Sequence, residues 1–83
     1  MEKVLITGHA EWGAEAFDFK IGPWGLGIGL MMRHTGYGSP KETGAGIWAT
    51  VEKAQEIAEE TVKKLLSPNC EVVWSEISAS AVD

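Results

Sequence analysis

Trp24-Gly25-Leu26-Gly27-Ile28-Gly29-Leu30-Met31-Met32 sets three glycines at alternate positions among apolar residues. Successive side chains of a strand point to opposite faces, so Leu26, Ile28 and Leu30 would form a ridge on one face while Gly25, Gly27 and Gly29 leave the other bare. Each glycine inside a strand costs roughly 0.5 to 1 kcal/mol relative to alanine. Such a run implies a large object close against the bare side: a ring, another backbone or a ligand.

The flanking sequence extends this strand into a sheet. Upstream, Phe17, Phe19 and Ile21 alternate with Ala16, Asp18 and Lys20, the period of a half-buried strand. Gly22-Pro23 supplies a turn signal, which predicts an antiparallel hairpin with the glycine strand. Lys3 to Gly8 is apolar on both parities and reads as a strand covered on both sides. Gly8 and Gly13 allow a bend in the less regular stretch after it.

Downstream, residues 34–46 carry glycines at 36, 38, 44 and 46 without a hydrophobic period, and read as a glycine-rich loop. Ile47 and Trp48 mark the end of a short fourth strand. Thr50 is placed as an N-cap with Glu52 in the first turn. Val51, Ala54, Ile57, Ala58, Thr61, Val62, Leu65 and Leu66 then recur on one side of a helix. Glu59 to Lys63 and Glu60 to Lys64 are i,i+4 pairs on the opposite side. Ser67-Pro68-Asn69 ends the helix, and Cys70 to Ile77 reads as a last strand. The tail over 78–83 is small and polar and is expected to fray.

The expected fold is α+β: an antiparallel sheet of four to five strands with one amphipathic helix on one face, in the order βββ(β)αβ. Residues 1–83 form a single domain. One helix cannot cover both faces of such a sheet, so dimerisation through the sheet is expected. Length points the same way, because a chain of 83 residues buries only about 60 to 65% of its unfolded surface. Cys70 is the only cysteine, which excludes an intramolecular disulfide and multi-cysteine metal clusters. Oligomerisation is the remaining common supplement. Trp12, Trp24, Trp48 and Trp74 suit either a core or an interface.

Twelve acidic residues against seven basic ones give a net charge of −5, which disfavours nucleic acid as a partner. The uncharged stretch from Ile21 to Met32 is too short and too rich in glycine for a membrane span. With no basic-then-apolar leader at Met1-Glu2-Lys3, a cytoplasmic location and no membrane partner are expected.

Three functional readings follow. The leading one is a non-enzymatic, homodimeric binding or interaction module. Polar residues of the glycine-rich loop beside an aromatic plate would bind a small molecule or peptide, with Trp24, Arg33, His34, Tyr37 and Trp48 as the binding residues. Neither a cofactor nor a metal is expected. A second reading is a small hydrolase or lyase-like enzyme in which His9, Glu11 and His34 meet in one cleft. A third is an acidic inhibitor that docks a basic protein through Glu52, Glu56, Glu59 and Glu60 of the helix.

Other matches fail on spacing. Gly25-Leu26-Gly27-Ile28-Gly29 lacks the G-x-G-x-x-G interval and no helix opens behind it. His9-Ala10-Glu11 begins a deaminase-like pattern, but Pro68-Asn69-Cys70 has no second cysteine after it. Glu71 beside Cys70 opposes thiolate formation, which leaves Cys70 a structural residue.

Overall fold

A computed structural model describes residues 3–36 and 41–76. Five strands and one helix follow in the order β1 (Ile6–Trp12), β2 (Glu15–Trp24), β3 (Gly27–Thr35), β4 (Lys41–Trp48), α1 (Val51–Leu65) and β5 (Val73–Glu76). The strands form one sheet in the order β4-β3-β2-β1-β5, and every neighbouring pair is antiparallel. The first four strands are a meander. From its far edge α1 carries the chain back, so that β5 pairs with β1.

Two glycines set the hairpins. Gly13 and Gly25 have φ of +64° and +61°, and each opens a two-residue turn between paired strands. A positive φ at the first turn position only is the type II′ pattern, which glycine adopts without a steric penalty. The second turn is therefore Gly25-Leu26, not Gly22-Pro23. Pro23 lies within β2, opposite Ile28. It is tolerated because the pairing of β1 with β2 ends at Ile6 and Ile21, so β2 needs no donor on that side. Leu26 thus leaves the expected ridge and Gly25 the bare side, and Leu26 stands fully exposed at the turn.

β4, from Lys41 to Trp48, replaces most of the expected glycine-rich loop. Residues 37–40, Tyr37 among them, lie outside the described residues, as does the tail over 78–83. Between Gly29 and Met31 the β3–β4 register shifts, with Ile47 opposite the first and Gly44 opposite the second. One extra residue on β4 makes this a bulge. Gly46 there has φ +106°, and the Trp48 ring lies 3.0 Å from where its Cβ would stand.

The core forms between α1 and one face of the sheet. Ile6 and Ala10 of β1, Phe17, Phe19 and Ile21 of β2 and Leu30 of β3 meet Ala54, Ala58 and Val62 of the helix. Small residues at 54 and 58 let the helix lie close to the sheet, and Phe19, Ile21, Leu30 and Val62 fill the space as its largest fully buried side chains. Thr50 caps the helix as expected, its hydroxyl accepting from Lys53 N at 3.1 Å. Glu59 turns inward instead of pairing along the helix, and Trp74 Nε1 donates to its carboxylate at 2.9 Å.

Glycine sealed by a ring does occur, at Gly8 instead of in β3. The Trp74 indole lies against it, with Cζ3 2.5 Å from the place of an added Cβ. Over Gly27 the cover is Ile47, at 2.6 Å. Among the described residues no helix is long and apolar enough to cross a membrane.

Candidate interaction face

The face of the sheet turned away from α1 was expected to be apolar or bare. It is polar. Strand alternation sends Thr7, His9 and Glu11 of β1, Asp18 and Lys20 of β2, Met31 and Arg33 of β3 and Glu42 of β4 to this side. Register then aligns them into two rows. Glu42, Arg33, Asp18, His9 and Val73 stand side by side across all five strands. Gly44, Met31, Lys20, Thr7 and Ser75 form the next row. Between the rows lies an open concavity of about 530 Å³, lined mainly by these side chains.

His9 is the most constrained group on this face. Its Nδ1 lies 2.6 Å from Asp18 Oδ1 and its Nε2 2.9 Å from Glu11 Oε1. Both nitrogens can donate only when the ring is protonated. The hydrogen bond to Asp18, followed by that to Glu11, accordingly holds the His9 pKa above its ordinary value of 6.5. These two carboxylates thus favour the protonated ring, and with His9 in that form the first row alternates in sign from Glu42 to His9.

A second, smaller groove opens on the helix side near the end of α1. Glu15, Phe17, Met32, His34, Lys41, Thr43 and Leu65 line about 350 Å³. His34 stacks on Phe17 with ring centroids 4.7 Å apart, and its Nε2 lies 3.0 Å from Glu15 Oε1. Three polar residues assigned to the expected loop pocket, His34, Lys41 and Thr43, come together here. Phe17 is their aromatic plate, in place of a tryptophan.

Of the other expected binding residues, Trp24, Trp48 and Arg33 do not join them. Trp24 is opposite Gly27, seven residues along β3 from His34 and hence about 23 Å away at about 3.3 Å per residue. Trp48 stands at that same far end, opposite Ile28, its Nε1 donating to Ala45 O at 3.2 Å. Arg33 precedes His34 on the other parity and points to the other face.

The same alternation separates the enzyme-like set. His9 and Glu11 lie on the open face and His34 on the helix side, so the shared cleft expected of His9, Glu11 and His34 is not formed. Among the described residues no three His, Cys, Asp or Glu side chains are grouped to hold a metal ion. Cys70 is buried and its Sγ donates to Glu11 O at 3.4 Å, consistent with a structural role. On α1, the exposed carboxylates of Glu52, Glu56 and Glu60 alternate with Lys53, Lys63 and Lys64.

Asp18 had no place among the expected site residues, although the sequence held the signal for it. A two-residue turn at Gly13-Ala14 fixes the register that sets His9 opposite Asp18. No protein-family model, curated protein or solved structure matches the chain.

Proposed function

We propose that the chain is a non-enzymatic, homo-oligomeric binding and interaction module, and that the open face of the sheet is the surface through which it associates. One observation carries the reading: a five-stranded sheet has its helix on one side only, and the other side holds the 530 Å³ concavity. A second copy would cover both. The separation of His9 from His34 by the thickness of the sheet favours binding over catalysis.

The groove at His34, Lys41, Thr43 and Phe17 supports a second role for the same module, uptake of a small molecule or peptide. Cationic and hydroxyl groups beside an aromatic plate can orient a polar ligand while its apolar part is buried.

Native mass spectrometry of the purified chain, backed by sedimentation at up to about 200 µM to capture micromolar affinities, tests both. A doubled mass is expected for the pair, and added mass for a retained ligand. A single-chain mass at every concentration would overturn the homo-oligomer, and uniformly unliganded protein would overturn the retained ligand.

A further inference from the structure

Alternation of charge along one row has a geometric consequence when a surface meets a copy of itself. Reading from β4 to β1, the row is Glu42, Arg33, Asp18, His9: minus, plus, minus, plus. Reversed, it becomes plus, minus, plus, minus. A two-fold axis parallel to the strands and midway between β2 and β3 performs that reversal, laying β3 over the partner's β2 and β4 over the partner's β1. Every charge in the row then meets its opposite.

Resting on the homo-oligomer reading above, we infer that two copies pack open face to open face about this axis, Arg33 pairing with the partner's Asp18 and Glu42 with the partner's His9.

Three further observations support this partner. Half of the charges in the row have no ion pair within one chain: among the described residues His9 closes to ion-pair distance with Asp18 and Glu11. That leaves Arg33 and Glu42 to reach across, Arg33 toward the second carboxylate oxygen of the partner's Asp18 and Glu42 toward the charged ring of the partner's His9. With His9 protonated the face is also balanced, His9, Lys20 and Arg33 against Glu11, Asp18 and Glu42, although the chain as a whole carries −5 with its histidines neutral. Two copies therefore approach by this side without the repulsion that their net charge imposes elsewhere.

Reach and area agree as well. Packed sheets stand about 10 Å apart, a gap that an arginine and an aspartate can bridge from opposite sides. Stacked sheets cross at about 30°, and Arg33 and Asp18, nearest the axis, are displaced least by that rotation. Four overlapping strands about 4.8 Å apart and about 23 Å long give a flat footprint of about 440 Å² per copy. With side-chain relief added, the total falls at the weak end of specific interfaces, which sets the expected Kd in the micromolar range.

Charge reversal in two separate chains tests the arrangement. Arg33→Glu alone, or Asp18→Arg alone, puts like charges in contact twice per pair and is expected to weaken self-association by at least about tenfold. An equimolar mixture of the two variants is expected to restore association to within about threefold of the original chain, as a heterodimer whose inner contacts are again opposite in sign. The mixture isolates the contact between copies. Arg33 and Asp18 are also neighbours within each sheet, and mixing cannot relieve the like charges each variant keeps there.

Circular dichroism first establishes that both variants fold. If either does not, Glu42→Lys at the exposed sheet edge takes its place, and it too is expected to weaken association. Undiminished association of these variants, or no rescue on mixing, overturns this arrangement while leaving the homo-oligomer standing. A wild-type chain that never pairs overturns both.

Discussion

At Gly8 the Trp74 indole occupies the space that a methyl group would need, and the ring is held from its other side by Glu59. Neither ring nor backbone can yield cheaply, so Gly8→Ala is expected to destabilise the fold by about 1 to 3 kcal/mol, the cost of overpacking a filled core. Chemical denaturation of the two proteins measures it, and equal midpoints would show that the indole swings aside. His9 supplies the pH dependence. Its pKa is raised in the folded chain, so its stabilising contribution is fully present below the unfolded value of about 6.5 and is lost as pH rises through the folded pKa. An NMR titration of the imidazole is expected to find the raised value, with Asp18→Asn lowering it more than Glu11→Gln because the bond to Asp18 is the larger cause. No change with Asp18→Asn would remove the clamp.

Elements differed in how openly the chain declared them. The bounds of α1 were legible because its apolar period, the Thr50 cap and the Pro68 stop all agree, although Glu59 turns to Trp74 and Leu65 at the last turn is exposed. Phe17, Phe19 and Ile21 were likewise read on the correct side of β2, and all three are buried. β4 was hidden, since Gly44 and Gly46 erase the alternation that marks a strand and the bulge breaks its register. Pro23 misled in the opposite sense. It signals a turn unless one knows that β1 has already ended beside it, and that depends on tertiary pairing. The candidate site was partly legible for the same reason. His9 and Glu11 could be placed in one strand, and alternation alone separates the neighbours Arg33 and His34, but the meeting of His9 with Asp18 followed only once the Gly13 turn set the register.

At the scale of the whole molecule, the sheet leaves one face to water after the helix has covered the other. A chain whose partner is its own copy gains stability by mass action, because the pair binds only folded protein. The melting temperature is therefore expected to rise with protein concentration by a few degrees between about 5 and 200 µM, the shift that about 1 kcal/mol produces in a domain of this size. Scanning calorimetry at both concentrations checks it, and coincident transitions would mean that folding and pairing are uncoupled.

The two outer strands limit how far such pairing can go. β5 has four residues among those described, and β4 carries the bulge at Gly46 with its positive φ. Neither presents a long flat ladder for a third chain to extend. Growth sideways into a fibre is thereby discouraged, and an assembly that closes on its own symmetry axis stops at two.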